Sequence, residues 1–249
     1  MSRAGTLFLT LATLAFVGSV LAHALLPALP QPGTQARTLA VLAYGAPETA
    51  VVDLSALLLQ PREPALALLM LLACAALAYH ALRCWIEDGA STRRRGHAPL
   101  IVGLLAGAAW PWLLRDQPTI ALILAALMLA GFLVGALEGR QAAVPIECSS
   151  ALGFAAGWAL QVSFGLLATL LQGRLGIPPQ AAAGLALLVG AVAAVSVQLR
   201  LGRRIGFSLA LIWGLIGIAA STVASDATLA TVTVLAIAIV AVALVRVTT

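Results

Sequence analysis

His80 and Cys84 stand four residues apart, which puts an imidazole and a thiol on one face of a helix. His97 opens the next apolar run at about the same depth, and Trp85 sits beside the pair. Three such groups could converge on a metal ion. A metal centre, however, needs three or four ligands at fixed distances and further groups to orient them. Packing and hydrogen bonding at a membrane interface account for this trio more simply, and no metal is expected. His23 belongs near the opposite membrane face, too far away to join them. Cys74, Cys84 and Cys148 are odd in number and form no CxxC, so free thiols are expected rather than a disulfide framework.

Catalysis finds little footing. Ser163 lies in a Val-Ser-Phe-Gly context without a preceding GxS, and no histidine falls at its depth. HExxH, a P-loop and a dinucleotide fingerprint are all absent. There is no lysine, which excludes a retinal Schiff base and lysine nucleophiles. The acidic residues, Asp53, Glu138 and Asp226 among them, fall in loops or at helix ends, which disfavours a proton path through a buried carboxylate. The expectation is that this chain is not an enzyme.

Binding chemistry has better candidates. Gln161 falls deep in an apolar run, where an unsatisfied amide is costly, so it must bond a neighbouring helix or a ligand. Trp158 and Trp213 also fall near the middle of runs, and their indole N–H groups need partners away from water. Such aromatics could pack in the interior or face a cavity and stack on a flat lipophilic ligand. Trp85, Trp110 and Trp112 are placed nearer run ends, at the depth of an aromatic belt.

The elements that must position these residues are long and apolar. Hydrophobic residues make up 62% of the 249 and charged residues 9%, far from the composition of a soluble domain. Apolar runs lie near 6–26, 65–84, 98–114, 119–137, 149–171, 180–199, 205–222 and 227–246. Each approaches the roughly 20 residues that a helix needs to cross a hydrocarbon core ~30 Å thick. The expected fold is all-α: a single integral membrane domain over residues 1–249, a polytopic transmembrane bundle of about eight helices. Seven would remain if the first were cleaved, since Arg3, Leu7–Leu21 and Ala22-His23-Ala24 together resemble a secretory signal. A retained first helix is the reading adopted.

Arginine sets the orientation. Arg93-Arg94-Arg95 and Arg200/Arg203/Arg204 fall in loops on one side, joined by Arg3, Arg83, Arg140 and Arg246. Only Arg37, Arg62, Arg115 and Arg174 fall on the other. Inner loops retain arginine, so both termini are expected in the cytoplasm. The net charge of +5 is then a matter of topology and anionic lipid rather than nucleic acid. The loop 27–64 lies outside and holds an apolar stretch, Ala50–Gln60, read as a short amphipathic helix on the membrane or over the bundle. The loop 86–97 is basic and inside. Glycine pairs Gly103/Gly107, Gly131/Gly135 and Gly153/Gly157 have GxxxG spacing, suited to close packing within the chain or to a homodimer face.

Three segments carry a family resemblance: Ala108-Ala109-Trp110-Pro111-Trp112-Leu113-Leu114, Gly157-Trp158 within Ala151–Gly165, and Leu209–Ala219 around Trp213. Over residues 65–221 the chain resembles the TspO/translocator-protein group, in its longer bacterial form of tryptophan-rich sensory proteins. Leu166 stands where that group carries an asparagine. The resemblance implies a helical bundle that binds a tetrapyrrole, such as a porphyrin or haem, or another flat lipophilic molecule. By it, Trp110, Trp112, Trp158 and Trp213 are ligand-contact candidates, and Gln161 joins them from its depth. The leading expectation is a non-enzymatic binding or sensory protein. The rivals are a small-molecule transporter and a structural or assembly subunit of a membrane complex.

Overall fold

A computed structural model of the protein describes residues 3–25, 54–61, 63–87, 97–141, 146–202, 204–223 and 226–248. Every regular element among them is an α-helix: α1 (Arg3–Leu25), α2 (Leu54–Leu59), α3 (Pro64–Glu87), α4 (His97–Leu113), α5 (Pro118–Gln141), α6 (Ile146–Leu175), α7 (Pro179–Leu201), α8 (Gly206–Thr222) and α9 (Ala227–Thr248). In hydrocarbon each backbone N–H and C=O must be satisfied within the protein, and a helix does this within one segment. Six helices (α1, α3, α5, α6, α7 and α9) are long and apolar enough to cross a membrane, as expected of a multi-pass bundle. Helices α4 and α8 are apolar but have 17 residues each.

Helix ends follow local chemistry. Proline opens α3, α5 and α7, where its missing N–H removes no intrahelical bond. Asp226 caps α9 by accepting the Leu229 N–H at 3.0 Å. Gly176 and Gly202 follow α6 and α7 with φ of 64° and 67°, a conformation that a side chain would strain. Pro111 does not end α4, which continues through it to Leu113.

The bundle is organised around α6, the helix whose apolar stretch is most buried, at 67% against 33% for α1, α5 and α9. On one side α6 closes a ring with α5, α4, α1 and α3; on the other it closes a ring with α7, α9 and α8. The first ring is filled by aromatic and sulfur-bearing side chains. Phe16 of α1 meets Phe132 of α5 and Trp158 of α6 edge to face, with ring centroids 5.9 and 6.1 Å apart. Helix α1 is therefore integral to the core, with Leu9, Ala12, Phe16 and Val20 all buried.

The glycine faces are used within the chain. A Cβ on Gly131 would come 2.5 Å from the Pro99 carbonyl oxygen and 2.8 Å from the Gly103 Cα, so α4 and α5 touch backbone to backbone. A Cβ on Gly157 would lie 2.6 Å from the Phe207 carbonyl oxygen, which draws α8 onto α6. Short connections usually make consecutive helices antiparallel neighbours, and that contact explains why one pair here is not. Helix α8 leaves α7 by a short turn yet scarcely touches it, packing instead on α6 and α9. The turn is held by a buried polar cluster. Ser208 Oγ donates to Gln198 Oε1 at 2.7 Å, and Gln198 Nε2 donates to the Gly202 carbonyl at 2.8 Å. Arg204, also buried, donates to the Ala136 carbonyl of α5 at 3.2 Å.

The Arg93–Arg95 run, Arg37, Arg62, Arg203 and Asp53 lie outside the described residues, and so do the side chains of Arg3, Arg140 and Cys148.

Candidate functional site

The α6–α7–α9–α8 ring does not close completely on itself. Small residues at Ala186, Gly190, Ala191 and Ala194 run down one face of α7 and leave space opposite Leu160, Gln161 and Phe164 of α6. Leu211, Leu215 and Ile218 of α8 and Val240 of α9 complete the walls. The resulting cavity is about 30 Å³. Helix α2 forms its end: Leu54 and Leu58 line the space, and the backbone at Leu54 and Ser55 rests against Gly165 of α6. Thr169 Oγ1 and Ser55 Oγ lie 3.3 Å apart, pinning α2 to α6. The short apolar helix α2 thus folds into the bundle, with Leu54, Ser55, Leu58 and Leu59 all buried.

Among the described residues, Gln161 is the single polar side chain in that lining. Its Nε2 donates to the Ala210 carbonyl at 2.9 Å and to the Leu211 carbonyl at 3.4 Å. The amide thus bonds the neighbouring helix, one of the two roles expected of it. Its Oε1 fits the hollow at Gly214, where any Cβ would overlap it, and accepts no hydrogen bond. Gln161 is only 7% exposed, so water does not satisfy that oxygen. A buried acceptor left alone costs about 1–3 kcal/mol. A water in the cavity would need about two to four polar partners, and the lining offers one. The space is thus suited to an apolar occupant.

None of the four tryptophans singled out from the sequence borders this cavity. Trp158 is buried in the other ring against Phe16, and its Nε1 has no partner. Trp110 is also fully buried with an unpartnered Nε1, although its position near a helix end suggested a belt residue. At about 100° per residue, Trp110 and Trp112 point to opposite sides of α4, one inward and one outward. Trp112 is 51% exposed; its Nε1 donates to Ser19 Oγ at 2.7 Å, and its ring meets His23 edge to face at 5.6 Å. Ser19 Oγ in turn donates to the Ala108 carbonyl at 2.6 Å, clasping α1 to α4. Trp213 donates its indole N–H to the Ala65 carbonyl of α3 at 2.9 Å. The tryptophans therefore fasten helix pairs at separate places.

His80 Nε2 and Cys84 Sγ lie 3.6 Å apart on α3, as their spacing implied. Among the described residues no group of three or more His, Cys, Asp or Glu side chains is placed to hold a metal. Cys74 and Cys84 are both buried.

The sequence pointed to Gln161 but not to the walls around it. The small-residue face of α7 carries a signal in Ala186, Gly190 and Ala194 at helical spacing; the arrival of Leu54 and Leu58 from α2 carries none. Comparison with protein-family models, with curated proteins and with solved structures gives no match.

Proposed function

We propose that this chain is a non-enzymatic, multi-pass protein of a bacterial inner membrane that binds a lipophilic small molecule inside the α6–α7–α9–α8 ring. The observation that carries this reading is the unpartnered Oε1 of Gln161 beside an otherwise hydrocarbon-lined cavity. A bundle optimised for stability alone would give that oxygen a donor or replace the amide with an aliphatic residue. In this reading all eight long helices cross the bilayer, α4 and α8 being near the lower limit of roughly 17 residues. Both termini are cytoplasmic, and α2 covers the cavity from the outer side. The pairing of α1 with α4 supports it: Phe16 lies against Gly107, and Ser19 against Ala108 and Trp112, so the two helices run parallel.

The resemblance to tryptophan-rich sensory proteins makes a tetrapyrrole the first ligand to test. Small-molecule sites generally enclose about 300–1,000 Å³, so a porphyrin requires the ring to open well beyond its present cavity. The experiment is a titration of the purified protein with protoporphyrin and with haem, followed by tryptophan fluorescence and the Soret band. Saturable quenching, weakened in Ala191→Leu, which fills the cavity from α7, supports a flat ligand inside the α6–α7–α9–α8 ring. No saturable response removes the tetrapyrrole.

Transport is a second reading, favoured by the division of the helices into two groups that meet along α6 and at the α3–α8 contact. Two groups rocking about a shared site would give alternating access. Substrate flux in proteoliposomes, absent from empty vesicles, distinguishes it from binding alone.

A further inference from the structure

A second space lies outside the α6–α7–α9–α8 ring, and it is the roomier of the two. Between α1 and α3 runs a groove of about 330 Å³, walled by Thr10, Thr13 and Leu14 of α1 and by Ala78, Ala81, Leu82 and Trp85 of α3. These positions recur at helical spacing, so each wall is one helix face. The threonine hydroxyls are turned back on their own helix: Thr10 Oγ1 donates to the Thr6 carbonyl at 2.8 Å and Thr13 Oγ1 to the Leu9 carbonyl at 2.9 Å. Among the described residues, the walls hold no charged group and no His, Cys or Met that could ligate a haem iron. The groove opens away from the bundle, since Leu14, Leu82 and Trp85 are all more than half exposed. What it presents outward is a hydrocarbon trough.

Helices α1 and α3 run antiparallel. Gln60, just before α3, reaches the His23 carbonyl near the end of α1 at 3.5 Å, whereas the middle of α1 meets the second half of α3. From Ala78 to Trp85 the groove spans roughly 10 Å along α3. It stops two residues short of the helix end at Glu87. In the orientation proposed above that end is cytoplasmic, so the groove opens into the inner leaflet. Hydrocarbon gains nothing by transfer from lipid to such a site, but an empty groove forfeits its dispersion contacts. Its occupant is therefore selected by shape and by head. Arg3 begins α1, Arg83 falls in the last turns of α3, and Arg93-Arg94-Arg95 follow in sequence, against only Glu87 and Asp88. That excess of cations on one side favours an anionic headgroup. We propose that the α1–α3 groove holds one acyl chain of an anionic phospholipid of the inner leaflet, its head on the arginine-rich side beyond Trp85. Trp85 stands at the depth of an aromatic belt, where an indole N–H can donate to a phosphate or ester oxygen. The inference rests on the proposed orientation and not on the α6–α7–α9–α8 cavity, with which the groove shares no lining residue.

The test uses the full-length protein in phosphatidylcholine nanodiscs doped with increasing amounts of a photoactivatable phospholipid. Phosphatidylglycerol and phosphatidylcholine probes carry the same chains, with a diazirine near the head end of one. After irradiation, labelled peptides are identified by mass spectrometry, with unlabelled phosphatidylglycerol as competitor. The expected result is saturable, competed labelling within Thr10–Leu14 and Ala78–Trp85 by the phosphatidylglycerol probe. Labelling by the phosphatidylcholine probe should be about fivefold weaker, the worth of one arginine near the membrane surface. High salt should narrow that difference. Ala78→Leu should abolish the saturable labelling; Ala78 is exposed, so it fills the groove without entering the core. Ala126→Leu, at an exposed position of α5, should leave it unchanged.

Because the two probes are compared on the unaltered protein, the result does not depend on either variant folding. Labelling that rises in proportion to probe on α1, α3 and α5 alike, unchanged by Ala78→Leu, is the mark of surrounding lipid only and overturns the site. Equal labelling of the groove by both probes overturns the anionic head. Labelling confined to the opposite ends of the two helices, near Leu21 and Leu68, overturns the inner-leaflet placement. The porphyrin titration stands or falls separately from all of these.

Discussion

Replacing Phe16 by alanine should cost this protein about 2–4 kcal/mol, and the reasoning fails if it does not. Phe16 is fully buried where α1, α4, α5 and α6 meet, edge to face with both Phe132 and Trp158. In a soluble protein Phe→Ala typically costs about 3–5 kcal/mol, part of it the lost transfer from water. Within a bilayer that transfer part fades, because lipid is as apolar as the core. The packing part remains. Two edge-to-face pairs contribute about 0.5–1.5 kcal/mol each, and the void left behind adds to them. The control is Leu14→Ala on the same helix, where Leu14 is 63% exposed. Cys74 and Cys84 are buried, so a thiol-reactive fluorophore added during a thermal ramp reports loss of the fold. In a Cys148→Ser background, Phe16→Ala should lower the melting temperature by roughly 4–16 °C, at about 2–4 °C per kcal/mol for a chain of this size. Leu14→Ala should leave it nearly unchanged. Equal shifts for the two variants, or none for Phe16→Ala, would mean that α1 is not part of the core and would revive the reading of a removable signal.

Other substitutions test separate contacts. Gly131→Ala should lower the melting temperature markedly, because its Cβ would lie 2.5 Å from the Pro99 carbonyl oxygen and force α4 from α5. Gly135→Ala is the contrast: its Cβ meets nothing closer than Leu152 Cδ1 at 3.4 Å, so the helix-propensity gain of about 1 kcal/mol should make it neutral or stabilising. A Ser55→Cys, Thr169→Cys pair replaces hydroxyls 3.3 Å apart, so oxidation should link α2 to α6, visible on a gel after cleavage between them. If α2 covers the cavity, that link should slow ligand-induced quenching in the titration, and reduction should restore it. Trp213→Phe removes the 2.9 Å bond to the Ala65 carbonyl and should cost about 0.6–2 kcal/mol, read as a lowered melting temperature.

The sequence by itself determined that this is a membrane bundle and roughly where its helices lie, because crossing hydrocarbon demands long apolar runs that no other constraint disguises. It also determined that Gln161 needs a partner and that the GxxxG stretches allow close packing, since both follow from residue type and depth alone. It did not determine which helix supplies that partner. Almost every surface in such a chain is apolar, so the sequence pattern that tells inside from outside in a soluble protein is nearly silent here. What decided the partners was shape: Gly157 against the Phe207 backbone, Gly214 against the Gln161 amide, and Gly131 against Gly103. Trp158 illustrates the limit. Its depth was legible, but whether it faced the cavity or the Phe16 cluster depended on how two rings share one helix. The return of Leu54 and Leu58 to close the α6–α7–α9–α8 ring was equally hidden, because a six-residue apolar helix reads the same on a membrane surface as inside a bundle. Only the tertiary structure could place it, through the space that small residues on α7 left unfilled.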